Sequence, residues 1–197
     1  MTKNTKIAND AAVIIVHSIS SNKVVMVEST KKNSSAIGFP GGGVEEYDAI
    51  GDGSNKVFNA NMAAIRELQE ETGLKIQELK HVSSEEVSFE MYDSTLGENV
   101  TVTKTIHGFY ASIRAPAAKL SYDIRENKAK WIELDRFRAM PSIYRDVNNL
   151  FLDKAIEKGI MTTELIEYTP RSPYQNKSSN SDNRGRSKYQ NKQFSRN

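Results

Sequence analysis

The sequence predicts a mixed α/β domain, strands gathered around one central and one late helix, followed by a disordered basic tail. Three observations carry this. Short β-branched runs at 11–18 and 23–28 and longer strand-like stretches at 81–92 and 100–113 supply a sheet. Apolar residues recur at helical spacing in two blocks, about 60–72 and 145–158. Beyond Pro170, large apolar side chains dwindle to Tyr174, Tyr189 and Phe194 among Ser, Asn and Gln, too few to offset the entropy of ordering.

Each element has a local reason. Residues 1–10 lack the apolar core of a secretory signal and read as a flexible start. Ala11-Ala12-Val13-Ile14-Ile15-Val16 is short and apolar, as in a buried strand; Ser20-Ser21-Asn22 turns the chain, and 23–28 returns as a hairpin partner. Residues 37–43 run into a glycine-rich loop, and 46–56, with Gly51-Asp52-Gly53-Ser54-Asn55, look like an exposed excursion. Asn59 or Asn61 can cap a helix whose apolar contacts are Ala63, Ala64, Ile65 and Leu68, and Gly73 offers a left-handed stop. Leu96-Gly97-Glu98-Asn99 separates the two long strands. Residues 129–134 form a short strand around Trp131, the single tryptophan. Val147, Leu150, Phe151, Leu152, Ala155 and Ile156 line the last helix, which Gly159 ends. The expected division is a flexible 1–10, one domain over 11–168 and a disordered tail over 169–197.

The whole chain narrows the classes of function. It has 197 residues, enough for one full core, and 38% hydrophobic residues. The absence of cysteine excludes disulfides, thiolate zinc sites and cysteine nucleophiles, and suits a reducing compartment. The longest apolar run, 11–16, is far short of a membrane span, so a cytoplasmic protein without membrane contact is expected. The net charge of +2 conceals an asymmetry. From 170 to 197, seven basic residues face one acid, a net +6, leaving about −4 for the remainder.

The chemistry concentrates at Arg66-Glu67-Leu68-Gln69-Glu70-Glu71-Thr72-Gly73-Leu74, with Phe39-Pro40-Gly41-Gly42-Gly43-Val44-Glu45 upstream. On a helix Glu67, Glu70 and Glu71 fall at i, i+3 and i+4, three carboxylates on one face. Like charges at that spacing repel, so a cation should offset them, and oxygen ligands suit a hard divalent ion, Mg2+ or Mn2+. The bland alternative is a solvated, charge-patterned helix face.

These two pieces resemble the Nudix box, Gly-x5-Glu-x7-Arg-Glu-U-x-Glu-Glu-x-Gly-U, with U a bulky aliphatic residue. Its second half is matched by Arg66, Glu67, Leu68, Glu70, Glu71, Gly73 and Leu74, and Gly41-Gly42-Gly43-Val44-Glu45 is similar to its entry. The halves stand about ten residues too far apart: eight back from Arg66 is Phe58 and six on from Gly42 is Asp48, so 47–58 reads as an insertion. Asp48, Glu46 or nothing stands in for the missing box Glu.

The resemblance implies an α/β/α sandwich with a mixed sheet, and Mg2+-dependent hydrolysis of a pyrophosphate bond in a nucleoside diphosphate linked to another group. It implies Glu67, Glu70 and Glu71 as metal ligands, helped by the backbone carbonyl of Gly41. Arg66 would pair with its neighbours, notably Glu67, through a planar fork that Lys lacks. The metal neutralises the diphosphate and activates water. The general base is Glu67 or a Glu before the tryptophan strand, with Glu126 the candidate and Asp123 behind it. A small nucleotide is the expected substrate, and a monomer or homodimer the expected assembly.

Other signals carry less. Neither glycine-rich stretch is followed by Gly-Lys-Ser/Thr, so no P-loop is present, and 51–56 also fails the EF-hand spacing. His17, His81 and His107 stand apart in strand-like surroundings and read as core or surface residues. Tyr92 lies eighteen residues past Leu74, near where some dinucleoside-polyphosphate hydrolases of the family carry Tyr. The tail reads as a solubilising terminus or as a non-specific RNA tether, its cations meeting phosphates and its tyrosines stacking on bases. Two further functions stand beside the first: an RNA 5′-end pyrophosphohydrolase using that tether, and a nucleotide-binding module of the same fold without turnover.

Overall fold

Eight strands and three α-helices follow one another in the residues that the computed structural model describes, 5–29, 36–51, 59–114, 119–120 and 127–164. They are β1 (Thr5–Ile7), β2 (Ala11–Ser18), β3 (Lys23–Ser29), β4 (Ile37–Gly38), β5 (Gly41–Gly43), α1 (Ala60–Thr72), β6 (Lys80–Asp93), β7 (Glu98–Ile113), β8 (Asn127–Glu133), α2 (Leu134–Ala139) and α3 (Arg145–Glu157).

The strands join in one mixed sheet. β7 lies parallel to β1 and β2 and antiparallel to β6. β2 runs antiparallel to β5, and β3 antiparallel to β4 and β8. Side chains alternate across the sheet, which splits the core in two. Ala11, Ile15, Val24, Met26, Ile106 and Tyr110 face α2 and α3, meeting Phe137, Phe151, Leu152 and Ala155. Ala12, Ile14, Val16, Val25, Phe109 and Ala111 face α1, meeting Ala63, Ala64 and Leu68. Helices on both faces of a mixed sheet make the expected α/β/α sandwich. Among the described residues no helix is long and apolar enough to cross a membrane.

Helix α1 spans the predicted residues. Asn59 caps it, its side chain accepting from the amides of Asn61 (3.0 Å) and Met62 (3.3 Å), and Gly73 ends it at φ 72°.

Four local expectations change. The 23–28 strand touches β2 only at the hairpin end, through Val24–His17 and Lys23–Ser18; all seven residues of β3 instead pair with β8. Leu134 leaves its expected strand to open α2, a six-residue helix too short for periodicity to reveal; Leu134 and Phe137 bury its inner face. Gly41–Gly43, expected as loop, hydrogen-bonds to Ala11, Ala12 and Val13 as a strand, a pairing decided by β2 rather than by glycine's own preference. Thr5–Ile7, in the stretch expected to be flexible, pairs with Thr101, Val102 and Thr103. The tail expected to be disordered, 169–197, lies outside the described residues.

Candidate metal and catalytic site

Three pieces of chain meet at the C-terminal half of α1: the helix itself, β5, and a single 3-10 turn at Glu46–Asp48. Arg66 ties them together. Its Nε and Nη2 donate to the two carboxylate oxygens of Asp48 at 3.1 and 3.0 Å, a bidentate fork. Nη2 also donates to the carbonyl of Gly43 (2.9 Å). Nη1 donates to Glu67 Oε1 (2.6 Å) and Glu70 Oε2 (3.2 Å).

Asp48 is thus the carboxylate that stands opposite the box arginine, and within the excursion expected to be exposed it is only 4% exposed. The backbone amide of Glu45 donates to it at 2.9 Å. Burial works to raise its pKa, but Arg66 and that amide outweigh burial and hold it below the usual carboxylate range. Glu46, the other residue considered for this place, is exposed. Sequence counting reached Asp48 from Gly42 but could not assign its partner, because the partner lies eighteen residues on.

The glutamates divide by depth. Glu70 faces outward with 60% of its side chain exposed. Glu71 is half-buried and accepts from the amide of Gly41 at 2.9 Å. Burial, with the charges of Glu67 and Glu70 adding to it, pushes its pKa up to about 7 against the pull of that amide. Burial also raises Glu67, opposed by Arg66. Two glycines make this closeness feasible. A Cβ on Gly42 would sit 2.3 Å from Glu67 Oε1, and one on Gly41 would sit 2.3 Å from the carbonyl oxygen of Ala12.

Three carboxylates, Asp48, Glu67 and Glu70, therefore meet one guanidinium, with Glu71 close by on the Gly41 amide. The side-chain donors gathered here are all hard oxygens. That is a set that fits Mg2+ or Mn2+. Among the described residues no three acidic or histidine side chains converge on one point. Glu67 is bonded to Arg66 through Oε1, and Glu71 to the Gly41 amide through Oε2. A pocket of about 440 Å3 adjoins the loop, lined by Ala8, Asn9, Asp10, Val44, Glu45 and Glu46.

Tyr47, at the start of the 47–58 excursion, lies against Arg66. Its ring centre lies 5.0 Å from Arg66 Cζ while the residue is 71% exposed. Nothing in a lone Tyr within a polar excursion signals that contact. Glu126 and Asp123, the candidates for a base ahead of Trp131, lie outside the described residues. The three histidines take structural places. His17 is 1% exposed and bonded to Tyr110 and Asn22, its pKa lowered by burial. His81 and His107 both meet Ser84 Oγ, and His107 reaches Asp10 at 3.1 Å.

Comparison with known proteins places this architecture. A family model described as NUDIX domain matches residues 8–148. No curated protein matches the chain. Among solved structures, an Escherichia coli dihydroneopterin triphosphate pyrophosphohydrolase aligns with TM-score 0.55 at 17% identity, covering 79% of this chain and 99% of that one. The Nudix domain of Shewanella oneidensis NrtR, complexed with ADP ribose, aligns with TM-score 0.51 at 18% identity over 80% and 89%. A Caenorhabditis elegans Ap4A hydrolase in binary complex aligns with TM-score 0.50 at 16% identity over 78% and 100%. At such identities these likenesses speak for the fold.

Proposed function

The chain belongs to the Nudix family of pyrophosphohydrolases, and from that premise we propose that it hydrolyses, with Mg2+, a pyrophosphate bond in a nucleoside diphosphate linked to another moiety. The observation that carries this reading is the placing of Glu67, Glu70 and Glu71 on the last turns of α1, with Glu67 and Glu70 bonded to Arg66 and Glu71 to the amide of Gly41.

Glu67, Glu70 and Glu71, with the carbonyl of Gly41, would hold the ion. When bound, it neutralises the diphosphate and withdraws charge from the phosphorus under attack. The protein's own groups do the positioning. Arg66 holds Glu67 through Nη1 while Asp48 and Gly43 fix the guanidinium from the other edge, so the carboxylates keep their register. Glu67, raised by burial, is suited to take the proton of the attacking water, and Glu126 is the second candidate. Asp48 is spent on Arg66, so the box's missing carboxylate contributes here to positioning.

The test is a phosphate-release screen with Mg2+ over dinucleoside polyphosphates, nucleotide sugars, ADP-ribose, NADH, nucleoside triphosphates and 5′-triphosphorylated RNA. Metal-dependent turnover of at least one diphosphate linkage is expected. Nucleotide binding without turnover of any of them would favour the binding-module reading.

A further inference from the structure

The exposed tyrosine beside Arg66 is mounted more rigidly than a surface loop residue needs to be. Asp48, the next residue, is gripped by the Nε and Nη2 donors of Arg66 and by the amide of Glu45. The Asp48 amide in turn donates to the carbonyl of Glu45 at 3.0 Å, closing the turn. Tyr47 therefore rides on a fixed pedestal. The in-plane donors of the guanidinium go to Asp48, Gly43, Glu67 and Glu70, which leaves its faces for other contacts. Tyr47 covers one face at 5.0 Å, and at 71% exposure its ring remains widely open to solvent. Ile50, shortly after on the same loop, is 60% exposed.

A rigid aromatic ring held in water beside a cluster of carboxylates forgoes burial and gains little for stability. It is, however, a ready surface for a second flat ring, because its orientation is already fixed and stacking loses little further entropy. The cation behind it anchors the stack from below. The carboxylates lie along the edge of the guanidinium and the tyrosine over its face. Both border the same guanidinium, so phosphates at the first and a base at the second would belong to one continuous site.

We propose that Tyr47 is the stacking platform for the nucleobase of the substrate, and hence a residue that selects nucleoside-bearing diphosphates over base-free ones. The inference rests on the hydrolase reading only for the word substrate; the platform itself is a binding property. Because an aromatic face accepts any π-surface, the contact selects for a base without choosing one base sharply.

Calorimetric titration of AMP and of ribose 5-phosphate, each with Mg2+, into the full chain and its Tyr47→Ala and Tyr47→Phe variants tests this. The wild type should bind AMP more tightly than ribose 5-phosphate. Tyr47→Ala should weaken AMP by about tenfold to a hundredfold, the range of one aromatic–base stack, and leave ribose 5-phosphate where it was. Tyr47→Phe should keep AMP binding. Equal weakening of both ligands would mean that the ring merely props Arg66, and an unaltered AMP affinity, or no AMP binding at all, would equally overturn the proposal. Should the screen find no turnover while the AMP preference persists and depends on Tyr47, the platform stands and the hydrolase reading fails.

Discussion

At the scale of single residues, the site is a contest between burial and compensation. Glu71 shows it most plainly, its carboxyl raised to about 7 by burial against a usual value of 4.5. With the folded pKa above the unfolded one, the native protein holds the extra proton between those values. Its contribution to stability is present in full below pH 4.5 and is lost as pH rises through 7. In EDTA, the wild type should therefore lose stability relative to Glu71→Gln between pH 5 and 8, with a slope of at most about 1.4 kcal/mol per pH unit. Mg2+ should restore it at pH 8, and parallel melting curves for the two proteins would contradict this account. Turnover tests the same group differently. Glu70→Gln and Glu71→Gln should each lower kcat by orders of magnitude with the fold retained; full activity in both would refute the metal assignment. Asp48→Ala removes the fork from Arg66 and should cost roughly 1.5–3 kcal/mol of stability. It should also reduce kcat about 10- to 100-fold by loosening the hold on Glu67, the usual scale for groups that orient ligands. A fully active Asp48→Ala protein would remove Asp48 from the site. Gln69, within the same helical stretch, carries no comparable consequence because it is exposed.

At the scale of elements, α1 and β5 must approach closely, and different atoms set that approach on the two sides. The helix was legible in advance because its signals are local: Asn59, the Ala63, Ala64 and Leu68 stripe and Gly73 all act within a turn or two. β5 was not, because a run of glycines has no strand preference and its pairing is imposed by Ala11, Ala12 and Val13. The two adjacent glycines should separate function from fold. At Gly41 a methyl group meets backbone, the Ala12 carbonyl and Val13 Cα, and cannot be relieved by a side-chain rotation; Gly41→Ala should shift the sheet and lower the melting temperature by many degrees. At Gly42 its nearest neighbours are the carboxylate atoms of Glu67, the end of a side chain rather than backbone, so Gly42→Ala should melt near the wild type but turn over poorly. Equal melting temperatures for the two variants would show that β5 is not held as described. α2 illustrates the opposite limit, six residues whose helical form comes from burying Leu134 and Phe137 against the sheet.

At the scale of the molecule, charge and topology act separately. Residues 170–197 carry a net +6 in the sequence, and if they tether RNA, deleting them should weaken RNA binding and flatten its salt dependence; unchanged affinity at low salt would dispose of that role. The chain by itself determined the family, the helix bearing Glu67, Glu70 and Glu71, and most strand positions, because each of these depends on residues within a few positions of one another. It could not choose among Asp48, Glu46 and no substitute for the missing carboxylate, nor foresee that Tyr47 lies over Arg66 or that β3 pairs along its whole length with β8. Those are contacts between residues 18 to more than 100 positions apart, and they are selected by how the two halves of the core pack on either face of the sheet. Local spacing determines which groups a helix presents; only the folded chain decides what each of them meets, because burial and partners are properties of the packed whole.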